Sequence, residues 1–305
     1  MNNINKFIND SSYRFYILRR ISGLKWLSDE NYIKLSYKMK MGKDLDLERP
    51  QLFSEKMQWL KLYNRDPRYS KMVDKYQAKE YVKNIIGEEY IVPTYGIWDS
   101  FNDIDFEILP EKYVLKCTHD SGGLAICRDK RTFDIEHARK VITHSLKQNY
   151  YWAGREWPYK NVKPRILAEK YLQQSGENNQ RGLIDYKFFC FNNVPLFTYI
   201  SRGLEHHPTA EISFYDMDGK EMSFHRSDYK PFHNAVMPSN FQEMKQIVDC
   251  LANEINSPFV RIDLYSINNQ IYFSEITFSP CGGMIPFEPK SADNELGKLL
   301  KLPIE

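Results

Sequence analysis

The stretch Phe259-Val-Arg-Ile-Asp-Leu-Tyr-Ser-Ile-Asn-Asn-Gln-Ile-Tyr-Phe-Ser-Glu-Ile-Thr-Phe-Ser-Pro-Cys-Gly-Gly283 holds two strand-like runs, with an acid in each, at Asp263 and Glu275. Side chains alternate across a strand, so Arg261, Asp263 and Tyr265 share one face of the first run, and Phe273, Glu275 and Thr277 share one face of the second. A three-residue turn at Asn268-Asn269-Gln270 would pair 267 with 271 and therefore 263 with 275. A two-residue turn would send Glu275 to the opposite face. The odd turn sets the two carboxylates roughly 5 Å apart at Cβ, within reach of one magnesium ion bound at about 2.1 Å. Arg261 on the same face suits anionic oxygens, and Gly282-Gly283 lets backbone approach a ligand. An alternating polar face of a solvated sheet gives the same pattern, so the motif alone leaves both readings open.

A second anomaly is Tyr113-Val-Leu-Lys-Cys-Thr-His-Asp-Ser-Gly-Gly-Leu-Ala-Ile126, an apolar strand that closes on Lys116. Ser121, Gly122 and Gly123 then form a loop whose exposed amides, with the Lys116 ammonium, resemble a phosphate cradle. A hairpin with a snorkelling lysine is the alternative. The segment Arg165-Ile-Leu-Ala-Glu-Lys-Tyr-Leu172 is an apolar strand interrupted by Glu169 and Lys170, and Asp74-Lys75 lies in a helical pattern that runs from about Ser70 to Gly87.

Around these segments the chain of 305 residues reads in three blocks. Residues 1–89 are mainly helical. From Tyr90, runs at 90–95, 113–117, 124–128 and 165–172 enclose a helix at 134–149, the pattern of a small α+β lobe at 90–170. Residues 171–305 are strand-rich, with hairpins at Asn192-Asn193 and Asp218-Gly219. An amphipathic helix at 240–256 covers them, opened by a Ser239/Gln242 capping box. The fold class is α+β.

Bulk properties exclude several functions. A formal charge of +2 gives no global field for nucleic acid. Five scattered cysteines lack metal or redox spacing and suit reduced thiols in the cytosol. No apolar run reaches the length of a membrane span, and the N-terminus lacks a signal peptide's apolar stretch. Residues 1–40 carry eight Lys and Arg against three acids, with aromatics between them. They form either a helix packed on the body or one in peripheral contact with an anionic membrane.

In their order, Asp74-Lys75, Val114-Leu115-Lys116 with its Ser-Gly-Gly loop, Leu167-Ala168-Glu169-Lys170-Tyr171-Leu172, Arg261-Ile262-Asp263 and Ser274-Glu275-Ile276-Thr277 resemble the ATP-grasp signature. Phe53-Ser-Glu-Lys-Met-Gln-Trp-Leu-Lys-Leu-Tyr63 and Trp152/Arg155-Glu156-Trp157-Pro158-Tyr159 resemble its TupA-like branch, over about residues 35–290. The resemblance implies an ATP-grasp fold in which two lobes clamp ATP, and a ligase that couples a carboxylate to an amine through an acyl phosphate. It implies that Lys75 and Lys116 hold ATP phosphates beneath the Ser121-Gly122-Gly123 loop, and that Glu169, Lys170, Tyr171 and Leu172 line the adenine pocket. Asp185 would meet the ribose, and Asp263 and Glu275 would hold Mg2+. Thr277 stands where relatives place an asparagine ligand. Arg261 and Lys116 would stabilise the transferring phosphoryl group, and no covalent role falls to Cys281. The branch implies cell-surface polysaccharide assembly, with a carboxylate-bearing sugar and an amine as substrates. Arg155, Arg202, His206 and His207 are polar groups that either contact the acceptor or stand in solvated loops. A glycosyltransferase using Asp216-Met217-Asp218, or a nucleotide-binding module without turnover, are the competing readings.

Overall fold

The computed structural model describes residues 24–174, 182–204 and 209–303, together with Tyr13 and Ile17. Among them the helices are α1 (Asp29–Met41), α2 (Phe53–Tyr63), α3 (Arg68–Val73), α4 (Lys75–Ile86), α5 (Ile135–Leu146), α6 (Tyr151–Gly154), α7 (Phe241–Ile255) and α8 (Ser291–Leu299). The strands are β1 (Thr94–Trp98), β2 (Tyr113–Cys117), β3 (Leu124–Cys127), β4 (Ile166–Lys170), β5 (Ile184–Phe191), β6 (Val194–Arg202), β7 (Glu211–Asp216), β8 (His225–Arg226), β9 (Phe259–Ile267), β10 (Gln270–Thr277) and β11 (Phe287–Glu288). A four-stranded sheet runs β1-β4-β2-β3, and a five-stranded sheet runs β10-β9-β5-β6-β7. Both are antiparallel throughout.

The large sheet is buried on both faces because its central strands alternate two kinds of apolar residue. Tyr186, Phe188 and Cys190 of β5, with Val260, Ile262 and Leu264 of β9, pack under α7 and α4. The odd positions Phe189 and Phe191, with Phe259, Phe197 and Phe214, meet Phe53 and Met57 of α2 and Leu296 of α8 in a second, aromatic core. Helices α2 and α4 thus lie on opposite faces of this sheet, while α1 packs on α2 through Tyr32, Ile33 and Leu62. Asp293 of α8 binds the start of α2: its Oδ1 accepts from the Ser54 amide and its Oδ2 from the Ser54 hydroxyl, both at 2.7 Å. A buried carboxylate there satisfies an orphan amide and meets the positive end of the helix dipole.

Three expectations change. The helix expected from Ser70 to Gly87 breaks at Asp74, which takes an extended conformation and caps α4 by accepting from the Tyr76 and Gln77 amides at 2.9 and 3.0 Å. An aspartate offers its own backbone this alternative to helix, and the break sets Lys75 at the first position of α4. The first strand of the small lobe lies at 94–98 rather than 90–95, because Glu88–Tyr90 forms a 3-10 turn and Ile91 bridges to Phe273. The Ser239/Gln242 capping box is absent: Asn240 is the cap residue of α7, and the Ser239 hydroxyl bonds Asn269 at 2.8 Å.

Candidate active site

The β9–β10 hairpin reaches the expected pairing of Asp263 with Glu275 by a different route. Its turn has two residues, Asn268 and Asn269, both with positive φ, and Ile267 pairs with Gln270. This is the mirror-image turn whose twist matches paired strands. In that register residue 274 would face Asp263. A bulge between Phe273 and Glu275 inserts Ser274 and brings Glu275 opposite Asp263. The expected three-residue turn is therefore replaced by a two-residue turn plus a bulge. Each adds the odd residue that the pairing needs.

On β5, reading toward the open end of the aromatic face, Phe191 pairs with Phe259, Phe189 with Arg261, Lys187 with Asp263 and Asp185 with Tyr265. One face thus passes from packed rings to charge. Asp263 is fully buried; its Oδ1 accepts from Arg261 Nε at 2.7 Å, and its Oδ2 from Arg261 Nη2 at 2.7 Å and Lys187 Nζ at 2.8 Å. The same Nη2 reaches Glu275 Oε1 at 2.6 Å and Thr277 Oγ1 at 3.1 Å, and the Thr277 hydroxyl donates to Glu275. Burial pushes the Asp263 carboxyl up, whereas Arg261 and Lys187 are raised against the cost of burial by the acids they touch. Burial also opposes the charge on Glu275, but Arg261, Lys187 and Lys75 outweigh it and hold that carboxyl at about 2.

The donor set decides how a magnesium ion would fit. Among the described residues no group of three or more His, Cys, Asp or Glu side chains converges. One or two carboxylates suffice for an ion that keeps phosphate and water ligands. Glu275 keeps 39% side-chain exposure and lines the cleft, so it fits that role. Asp263 has three of its roughly four lone-pair positions filled, and Thr277 is engaged as donor and acceptor.

Opposite lies the small sheet. Glu169 is 7% exposed and pairs with both Lys116 and Lys79, the latter at 2.6 Å. Burial would raise its carboxyl, but the two ammonium groups hold it down to about 2. Lys75 Nζ donates to the Asp120 carbonyl, and burial lowers its pKa. The Asp120 carboxylate in turn accepts from the Gly123 amide at 3.2 and 3.1 Å and from Ser145. A Cβ at Gly123 would lie 2.5 Å from Ser145 Oγ and 2.6 Å from Cys117 Sγ, so this close approach admits only glycine. Gly122 at the tip faces open space.

Three linked cavities join these groups. The first, of about 330 Å³, has Lys75, Lys116, Glu169, Asp185 and Lys187 for polar walls, and Lys170, Tyr171 and Leu172 on its rim. Through Lys75 and Glu275 it meets a chamber of about 200 Å³ that contains Arg261, Thr277, Tyr150 and Glu156. Across Ser121 and Tyr150 a cleft of about 850 Å³ follows, with Lys25, Lys140, His144 and Trp152. The two acceptor arginines do not join them. Arg155 is 2% exposed, stacked at 4.3 Å over Trp152 and bonded to the Leu24 carbonyl; Arg202 pairs with Glu211 and stacks on Phe232 at 4.1 Å. His206 and His207 lie outside the described residues. Asp216 spends its Oδ1 on the amides of Asp218 and Lys220 at 3.0 and 2.9 Å, so the Asp-Met-Asp string is a turn.

Sequence reasoning missed Lys79, Lys187, Asp120 and Glu156. Lys79 stands one helical turn after Lys75, a spacing visible in the sequence. Lys187 interrupts the apolar β5 two residues after Asp185, but its partner Asp263 follows only from the β5–β9 register.

Two antiparallel sheets that face each other across a basic cleft, with an acid-bearing hairpin at its floor, define an ATP-grasp protein. The chain belongs to the TupA-like ATP-grasp family, whose model matches residues 55–301. Among solved structures it is similar to D-alanine–D-alanine ligase from Helicobacter pylori (15% identity, 81% of this chain and 69% of that one, TM-score 0.44). It is also similar to D-alanine–D-alanine ligase from Bacillus anthracis complexed with ATP (13%, 68% and 53%, 0.38) and to N5-carboxyaminoimidazole synthetase from Staphylococcus aureus (15%, 68% and 44%, 0.37). The chain thus spans about half the length of two of these structures. No curated protein matches its sequence. No helix among the described residues is long and apolar enough to cross a membrane.

Proposed function

We propose that this chain is an ATP-dependent carboxylate–amine ligase that activates a uronic acid as its acyl phosphate and attaches an amino acid or other amine to it in cell-surface polysaccharide assembly. The observation that carries the reading is the Arg261–Glu275–Lys187 cluster where the nucleotide-sized cleft opens into the 200 Å³ chamber. Adenine would lie against Lys170, Tyr171 and Leu172, the ribose near Asp185, and the triphosphate among Lys75, Lys116 and Lys187. Glu275, with Asp263 behind it and Thr277 beside it, would hold Mg2+. Bound there, the ion would neutralise charge on the transferring phosphoryl group. Arg261 sits on the chamber side, where it stabilises negative charge as the substrate carboxylate oxygen attacks the γ-phosphorus and ADP departs. The 850 Å³ cleft favours a carbohydrate acid: Lys25, over the Trp152 ring at 5.3 Å, and Lys140 offer charge for carboxylates, and His144, Gln148 and Asn149 offer hydrogen-bonding groups for hydroxyls. All five cysteines are free, in keeping with a cytoplasmic, ATP-supplied setting; of the basic segment 1–40, the part from Leu24 onward packs on the body through Tyr32, Ile33 and Leu62, which favours the packed-helix alternative over peripheral contact with the inner face of the membrane. ADP release measured with ATP, uronic acids and amines tests the reading: release must need the acid and accompany amide formation. Sugar transfer from a nucleotide-sugar, or ATP binding without turnover, would refute it.

A further inference from the structure

Resting on the ligase reading, we propose that Glu156 is the general base of the second half-reaction, the carboxylate that receives the ammonium of the incoming amine and takes its proton. Three acids line the 200 Å³ chamber: Asp120, Glu156 and Glu275. Asp120 is spent on the Gly123 amide and on Ser145. Glu275 is bound to Arg261 and Thr277 and is the carboxylate that would hold Mg2+, so it is not free to receive an ammonium. Glu156 remains. It follows Arg155, whose left-handed backbone (φ 55°) ends α6, and it enters the chamber beside the paired rings of Tyr150 and Tyr159, 4.8 Å apart.

The charges that face Glu156 come from each surrounding element: Lys61 from α2, Lys40 from α1 and Arg261 from β9, with Lys75, Asp120 and Glu275 across the chamber. Lys61 is fixed by Gln58 Oε1 at 2.9 Å and the Gly282 carbonyl at 3.2 Å. Burial pushes the Glu156 carboxyl well up despite these cations, and burial lowers the Lys61 ammonium. A carboxylate made more basic in this way, and lining the chamber, accepts a proton more readily than an exposed glutamate, as a general base requires.

The step balances. An ammonium R–NH3+ gives one proton to the Glu156 carboxylate. The freed amine attacks the carbonyl carbon of the acyl phosphate, the C–N bond forms, and the C–O bond to phosphate breaks with its electron pair on oxygen. The nitrogen's second proton leaves on the departing phosphate. Tyr150 and Tyr159, both raised by burial, stay protonated through this step.

Hydroxylamine, neutral at pH 7, captures an acyl phosphate without a base, so it separates the half-reactions. With ATP and D-glucuronate as the acid, wild type and Glu156→Gln should form hydroxamate at rates within twofold of each other. With glycine as the amine, Glu156→Gln should lose about 100-fold or more at pH 7 and recover as pH rises and free glycine amine accumulates. Intact hydroxamate formation certifies the folded variant. Equal loss with both nucleophiles, or no loss with glycine, overturns the role of Glu156. A wild type that releases no ADP with D-glucuronate overturns the ligase reading itself, and the base with it.

Discussion

Asp263→Asn keeps the shape of the side chain and removes its charge, which leaves Arg261 and Lys187 buried beside an amide. The native carboxylate has no exposure and accepts three charge-assisted bonds of 2.7–2.8 Å. Breaking a buried ion pair from one side costs about 3–5 kcal/mol. Two compensations pull toward the lower end: Lys187 retains Asp185 at 3.2 Å, and Arg261 retains Glu275 at 2.6 Å. A loss of about 3 kcal/mol is expected. At roughly 2.1 cal/mol/K per residue over 305 residues, this lowers the thermal midpoint by about 5 °C. Glu275→Gln should behave oppositely. Its side chain keeps 39% exposure and its buried partner Arg261 keeps both bonds to Asp263, so stability should fall by only about 1 kcal/mol, while ATP turnover falls by about 100-fold or more. Calorimetry and ADP release on the two variants separate these roles. If Asp263→Asn melts within 1–2 °C of wild type, the buried cations do not depend on it and the reasoning fails. Full ATP turnover in Asp263→Asn would independently remove Asp263 from the site.

Glu169 carries a pH signature. Its folded carboxyl lies near 2 against an ordinary 4.5, so it contributes about 3 kcal/mol that is fully present above pH 4.5 and lost as pH falls toward 2. The stability gap between wild type and Glu169→Gln in denaturant titrations should shrink across that window; a constant gap refutes the pairing with Lys79 and Lys116. Gly123→Ala forces a methyl against Ser145 and Cys117 and should cost about 1–3 kcal/mol. It should also raise the KM for ATP by displacing Asp120 and the Lys75 contact, and an unchanged KM would mean that this loop does not meet the nucleotide. Phe53→Ala opens the aromatic core where Phe53 meets Phe191 and Phe259 at 5.6 and 5.3 Å and should cost about 3–5 kcal/mol, read from the denaturation midpoint.

Local chemistry made most strands legible. Lys116 at the end of β2 and Asn192-Asn193 between β5 and β6 stand where apolar period and turn preference put them, because those signals need only neighbours in sequence. The register across strands was not legible in the same way. Whether 263 faces 275 depends on the number of residues between them and on any bulge. A pattern of Asn-Asn followed by alternating apolar residues cannot distinguish a three-residue turn from a two-residue turn with Ser274 extruded, since both add one residue to the same strand. The bulge has a consequence that the simple turn lacks. It leaves the mirror-image turn intact, and with it the contacts of Asn269 to the cap of α7, and it puts the irregularity at Ser274, on the wall shared by the 330 Å³ cleft and the chamber. The acid that turns toward the cleft is therefore set by a local backbone feature rather than by the hairpin as a whole. This same feature explains why two directly paired carboxylates have such different surroundings: Asp263, on the regular strand, stays beneath the Arg261–Lys187 cover, while Glu275, next to the extruded residue, is lifted into the site.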